Sequence, residues 1–238
     1  MKLDILAFGA HPDDVELGAS GSILSHIKQG KSVGVVDLTQ GELGTRGSAA
    51  IRKQESEKAS KILGLSSRTN LGLADGFFEE SEESLLKAIE QIRRHKPEVV
   101  WCNAVEDRHP DHGRGSKLVS RACFLSGLVK IETKIDGQTQ EPWRPKAVYH
   151  YIQDYYIKPD FIVDVSEHWE KRMEAVLAYS SQFYNPNSDE PESQISSKEF
   201  LKTIKGRARA FGRLIGTEYG EGFTLERPMG IQNMFDFI

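Results

Sequence analysis

The stretch Leu3-Asp4-Ile5-Leu6-Ala7-Phe8-Gly9-Ala10-His11-Pro12-Asp13-Asp14-Val15-Glu16-Leu17 runs from an apolar segment into a turn carrying one imidazole and two carboxylates. Leu3 to Phe8 reads as a buried strand. Val15 to Gln29 reads as a helix, with Ala19, Ile23, Leu24 and Ile27 on one face. A second apolar run, Val99 to Cys102, leads to His109-Pro110-Asp111-His112. Two strand ends each deliver histidine and carboxylate to a loop. In an open α/β sheet, ligands and catalytic groups gather at the carboxyl ends of the strands. Histidine with aspartate is the ligand set of a zinc site that keeps one position open for water. The chain therefore reads as a metal-dependent hydrolase.

The same rhythm continues outward. Ser32 to Leu38 and Arg68 to Leu71 read as strands, while Ala49 to Leu63 and Ser81 to His95 read as helices that stop at Gly64 and before Pro97. Asp111 to Leu125 is the next helix. This alternation predicts an α/β fold with a doubly wound, mostly parallel sheet and helices on both faces. Farther on, Ala147 to Ile152 and Phe161 to Val165 read as strands, and Glu167 to Tyr179 and Lys198 to Leu214 as helices. Lys130 to Pro142 is a polar connection with hairpin character. Residues 185–197, rich in Asn, Ser, Pro and acidic side chains, read as a mobile loop and a candidate lid. With no internal repeat and no linker, residues 1–238 read as one domain.

Hydrophobic residues make up 38% of the 238 positions and charged residues 28%, a balance that suits a globular chain with a full core. The net charge of -4 argues against nucleic acid as a partner. No apolar stretch reaches the roughly 20 residues that span a bilayer, and the N-terminus enters a strand without a signal-peptide pattern. The expectation is a cytoplasmic protein without a membrane partner. Cys102 and Cys123 read as small buried hydrophobes rather than a disulfide, with Cys102 close enough to the proposed site to be oxidation-sensitive.

At a strand-to-helix turn successive side chains diverge. His11 and Asp14 can face one ion while Asp13 points to a water, and His112 can add a third ligand. A carboxylate beside such a water serves as general base, which makes Asp13 the candidate. His109 is either a fourth ligand or an imidazolium beside the metal, where it would oppose an oxyanion and protonate a leaving amine. Asp111 can hydrogen-bond a histidine from behind. Glu16 is either a first-turn carboxylate favoured by the helix dipole or a support for the site. Each cluster alone could be a turn in which Asp caps a helix. Both together, at two strand ends, favour the metal. Iron(II), cobalt or manganese would also suit two histidines and one aspartate. A nucleotide-binding module is disfavoured because His11-Pro12 stands where a glycine-rich turn would approach a pyrophosphate. A non-catalytic metal-storing protein is disfavoured because structural zinc sites close all four positions.

The pattern His-Pro-Asp-Asp-x-Glu-x-Gly over His11 to Gly18, with His109-Pro110-Asp111-His112, resembles the PIG-L/LmbE-like N-acetylglucosaminyl deacetylases. Arg52-x-x-Glu55, Leu71-Gly72-Leu73-Ala74-Asp75-Gly76, Lys158 to Ser166 and Ala178 to Phe183 fit as well, so the resemblance covers nearly the whole chain. Glu106-Asp107-Arg108 before the second motif is most similar to the bacillithiol-biosynthesis branch. The resemblance implies a Rossmann-like fold and one zinc ion on His11, Asp14 and His112. It also implies Asp13 as general base, His109 as oxyanion stabiliser, and Arg52 and Asp75 as sugar contacts. The implied substrate is N-acetylglucosaminyl-malate, and the implied assembly a homo-oligomer, in some relatives a hexamer. Another N-acetylglucosamine conjugate or an oligosaccharide is the alternative substrate. Some relatives carry a polarising tyrosine where this chain has Asp107. Malate would call for cations near the loops, and Arg108, Arg46 and Lys158 are the candidates.

Overall fold

The computed structural model describes residues 1–237. In chain order the elements are β1 (Ile5–Gly9), α1 (Asp14–Lys28), β2 (Val33–Thr39), α2 (Ala49–Leu63), β3 (Ser67–Leu73), α3 (Glu82–His95), β4 (Val99–Cys102) and α4 (Pro110–Leu125). A two-stranded hairpin of β5 (Lys134–Ile135) and β6 (Gln138–Thr139) follows. Then come β7 (Ala147–Tyr151), β8 (Phe161–Asp164), α5 (Trp169–Leu177), α6 (Lys198–Leu214) and β9 (Gly220–Leu225). The main sheet has seven strands in the order β3-β2-β1-β4-β7-β9-β8. The first five are parallel, and β9 runs antiparallel to both its neighbours. The mostly parallel, doubly wound sheet is as expected.

Successive residues of β1 point to opposite faces, and both faces are covered. Leu6 and Phe8 pack with Val36, Leu38 and Val100 against Leu85, Ile89 and Ile92 of α3 and Leu118 and Val119 of α4. Ile5 and Ala7 pack with Val33, Val35 and Trp101 against Val15, Ala19 and Ile23 of α1. This is why β1 reads as a continuous apolar run rather than an alternating one. A third cluster joins Leu17 to Trp169, Val176, Tyr179, Phe183 and Ile204 at one end of the molecule.

Three details differ from the sequence expectation. The helix expected over Glu167 to Tyr179 begins as a 3-10 turn, Ser166–His168, and its α-helical part ends at Leu177. Ser67–Leu73 is longer than the expected Arg68 to Leu71 strand. Strand β9 was not expected, because Gly-Glu-Gly-Phe-Thr-Leu has little strand character. Its glycines are required by close packing: a Cβ at Gly220 would lie 2.6 Å from Ile162, and one at Gly222 3.0 Å from Phe211 of α6. Its buried Glu221 accepts from Arg172 Nε at 2.8 Å and from the backbone N–H groups of Gly21 and Ser22. Among the described residues no helix is long and apolar enough to cross a membrane.

Strand β1 lies between β2 and β4, and the chain leaves it toward β2 on one side and returns to β4 on the other. This is the topological switch point of the sheet, where a crevice opens beyond the strand ends. His11 follows β1, and His109 to His112 follow β4.

Candidate active site

Asp13 is the N-cap of α1, with a left-handed φ of 139°, and Asp14 is the first helical residue. A positive φ at a non-glycine residue is strained, and such strain gathers at functional positions. Asp14 Oδ1 lies 3.1 Å from His112 Nε2, and Asp14 Oδ2 lies 3.5 Å from His11 Nδ1. The other nitrogen of each ring faces further carboxylates. His11 Nε2 is 3.0 Å from Asp75 Oδ1 and 3.4 Å from Asp111 Oδ2, and His112 Nδ1 is 2.7 Å from Asp107 Oδ2. The ligand atoms of His11, His109 and His112 also lie within 4.8 Å of one another, as do those of His11, Asp75 and Asp111.

The residues fit a divalent cation. Two imidazoles and one carboxylate converge, and the far nitrogen of each imidazole is held by a carboxylate, as a ligand histidine requires. The surroundings favour positive charge: burial opposes it, yet Asp14 and Asp107 raise His112 to about 9. Asp14 is fixed from three more directions. It accepts from the His11 backbone N–H at 2.9 Å, from Asn103 Nδ2 at 3.0 Å and from Gln153 Nε2 at 2.6 Å. Burial alone would raise the Asp14 pKa, but the charges of His112 and His11 hold it well below the usual carboxylate range.

Asp13 behaves differently from its neighbour. Burial pushes its carboxyl up to about 7, Asp14 and Glu16 add to the rise, and Arg52 opposes it. Arg52 Nη2 lies 3.3 Å from Asp13 Oδ1 and donates to the Pro12 carbonyl at 2.8 Å. Asp13 is therefore a carboxylate poised to take a proton near neutral pH, next to one that stays ionised. His109 caps α4, its Nδ1 accepting from the Asp111 backbone N–H at 3.2 Å. That bond leaves the ring proton on Nε2. Burial, with His11 and His112 nearby, lowers the His109 pKa. In this geometry Nε2–H is the His109 donor that faces the cavity.

These groups open into a cavity of about 570 Å³ that His11, Asp13, Asp14, Arg52, Asp75, Arg108, His109 and His112 all line. The expected site residues are brought together, and some make contacts that the sequence did not foretell. Asp75, implied as a sugar contact, spends one oxygen on His11 and the other on the Leu43 backbone N–H at 2.9 Å. Arg108 lines the wall but is paired with Asp154 at 2.6 Å. Glu16 is fully buried and bridges Arg68 and Tyr179, so it ties α1 to β3 and to the end of α5. Lys158 is exposed and away from the cavity. Cys102 is fully buried against His150, which removes the expected exposure to oxidants. Residues 185–197 hold no helix or strand. Ser193, Gln194 and Ile195 form part of the cavity wall, while Ser188 and Glu190 accept hydrogen bonds from Arg46 and from the Gly47 backbone N–H.

Sequence reasoning missed four residues. Asn103 and Gln153 follow β4 and β7 at the carboxyl ends of the strands, a position that could have flagged them. Asp107 was noted as part of Glu106-Asp107-Arg108 and as standing where some relatives carry a tyrosine, but not as the partner of His112. Arg207 of α6 also lines the cavity and belongs to no motif.

Comparison with known proteins bears on this arrangement. Residues 6–123 match the family described as PIG-L, GlcNAc-PI de-N-acetylase. The diacetylchitobiose deacetylase of Thermococcus kodakarensis is 29% identical over 231 residues, covering 92% of this chain and 81% of that protein. A Bacillus anthracis protein described as probable N-acetyl-alpha-D-glucosaminyl L-malate deacetylase 2 is 28% identical over 196 residues, covering 75% and 81%. The crystal structure of a conserved protein from Thermus thermophilus superposes with a TM-score of 0.86 at 34% identity, covering 98% of both chains.

Proposed function

The chain belongs to the PIG-L family of deacetylases, and from that premise we propose that it hydrolyses the N-acetyl amide of N-acetylglucosaminyl-malate to glucosaminyl-malate and acetate. The observation that carries the chemistry is the convergence of His11 and His112 on Asp14, at 3.5 and 3.1 Å, with the Asp13 carboxylate next to it in the chain and facing the same cavity. The malate aglycone rests on the Bacillus anthracis relative and on Glu106-Asp107-Arg108 before the second histidine cluster. The longer match to the Thermococcus kodakarensis protein favours a second reading, in which the substrate is an N-acetylglucosamine oligosaccharide.

His11, Asp14 and His112 would hold the ion, and zinc is the metal we propose for two histidines and one carboxylate. A divalent ion there supplies Lewis acidity and lowers the pKa of a water toward neutrality. Asp13 takes the proton of the attacking water, while Arg52 holds its carboxylate in place. His109 donates its Nε2–H to the oxygen that gains charge as the carbonyl becomes tetrahedral, an interaction worth about 3 kcal/mol for one donor. The proton on Asp13 then passes to the departing amine, which leaves as the amino sugar.

The test is acetate release from N-acetylglucosaminyl-malate, N,N'-diacetylchitobiose and free N-acetylglucosamine by zinc-loaded protein. We expect kcat/KM for the malate conjugate to exceed both others. A preference for diacetylchitobiose would move the assignment to oligosaccharides, and no acetate from any of the three would refute the reaction.

A further inference from the structure

Four arginines line the cavity: Arg46, Arg52, Arg108 and Arg207. Three of them have carboxylate partners. Arg46 Nε is 3.6 Å from Glu190, Arg52 Nη2 is 3.3 Å from Asp13, and Arg108 Nε donates to Asp154 at 2.6 Å. Among the described residues Arg207 has no carboxylate within 4.0 Å. Its one hydrogen bond is long, from Nη1 to the Asp154 carbonyl at 3.4 Å. Burial, with Arg172 nearby, lowers its pKa to about 10, so it remains charged at neutral pH. A partly buried guanidinium with one poor neutral acceptor forgoes most of the hydrogen bonding its fork can make.

Its position in α6 is equally unusual. Phe200, Ile204 and Arg207 recur at helical spacing, and Ile204, Ala208 and Phe211 are buried against the core. A cation therefore stands where the pattern calls for an apolar side chain, and it faces a cavity rather than open solvent. Asp154 sets Arg207 beside Arg108, its carbonyl accepting from one guanidinium and its carboxylate from the other. The Asp154 backbone N–H donates to Asp107 Oδ1 at 3.2 Å, and Asp107 Oδ2 bonds His112. Each arginine is thus linked to His112 through a chain of three hydrogen bonds, by way of Asp154 and Asp107.

We infer that Arg207, with Arg108 beside it, forms a subsite for a carboxylate on the substituent that the N-acetylated sugar carries, and so selects anionic conjugates over neutral ones. This rests on the deacetylase reading above. Of the two arginines, Arg207 is the one without a direct ion pair: Asp154, Asp107 and Glu221 act on it only at longer range, whereas Arg108 already has Asp154 at 2.6 Å. A planar fork pairs with a carboxylate through two parallel hydrogen bonds, and an ammonium does not reproduce that geometry.

The test compares kcat/KM for N-acetylglucosaminyl-malate with that for the neutral methyl glycoside of N-acetylglucosamine, in wild type, Arg207→Gln and Arg207→Lys. Zinc content and thermal melting are measured on each. Loss of a charge-assisted bond predicts that the anionic-to-neutral ratio falls about 10- to 100-fold in Arg207→Gln, chiefly through KM, with partial recovery in Arg207→Lys. An unchanged ratio, or an equal loss on both substrates, would overturn the inference. If wild type fails to turn over the malate conjugate, the proposed substrate fails. The subsite is then judged by calorimetric titration of the zinc-loaded protein with L-malate. Binding lost in Arg207→Gln would uphold it, and equal binding or none would overturn it.

Discussion

Asp13 combines burial, a strained backbone and an arginine neighbour, and each has a consequence that can be measured. Asn at this position keeps the shape but cannot take a proton. Asp13→Asn should retain its metal and lose about 10²- to 10⁴-fold in kcat; metal analysis beside steady-state rates checks this, and unchanged turnover would remove Asp13 from the role of base. The base must be ionised to act, so the rate should rise with pH through about 7. Arg52 lowers the Asp13 pKa, and its removal in Arg52→Gln should move that rise to higher pH. At Asp107 the expectation concerns the metal. Asp107→Asn loses the carboxylate that holds the His112 proton on Nδ1, and metal affinity should fall about 10- to 100-fold by competition with a chelator. His11, Asp13, Asp14 and His112 were legible because the two motifs place them directly after apolar runs. Asp107 was not, because its pairing with His112 depends on a loop whose shape no spacing rule describes. Asp75 was legible as part of the site, but its bond to His11 was not, since only the fold brings it to that residue, 64 positions away in sequence.

The elements that read clearly were those in which propensity and packing agree. Strand β1 and helix α1 are the clearest case, and their junction depends on one glycine. A Cβ at Gly18 would run into the ring of Tyr151, whose hydroxyl is anchored to the Phe8 carbonyl at 2.9 Å. Gly18→Ala should cost about 1–3 kcal/mol through overpacking, seen as a lowered melting temperature. Gly206 of α6 is the converse, with nothing within 4 Å of its would-be Cβ. There Gly→Ala should stabilise by about 0.5–1 kcal/mol. Strand β9 was illegible for the same reason that Gly18 matters: where one element lies close to another, side-chain volume is excluded, and glycine erases the local pattern. The buried Glu221 deepened the disguise, since its partner Arg172 lies 49 residues away.

Across the whole molecule, the strand order explains why two distant clusters make one site. With β1 and β4 adjacent and parallel, the loops after them open on the same edge of the sheet. The alternation of elements made the parallel sheet legible. It could not reveal that α6 and residues 185–197 help to line the cavity, because their contacts there join parts of the chain 53 to 142 residues apart. The cation wall of Arg108 and Arg207 belongs to this scale as well, since α6 and the loop after β4 are joined through Asp154, which follows β7, only in the folded chain. Metal-dependent deacetylation at this site is the central claim. Its most direct test is acetate release from N-acetylglucosaminyl-malate by protein stripped with a chelator and then titrated with zinc, beside His112→Ala treated in the same way. The account predicts that stripping abolishes turnover, that about one ion per chain restores it as expected for a single mononuclear site, and that His112→Ala is not restored. Full turnover by the stripped wild-type chain would contradict it.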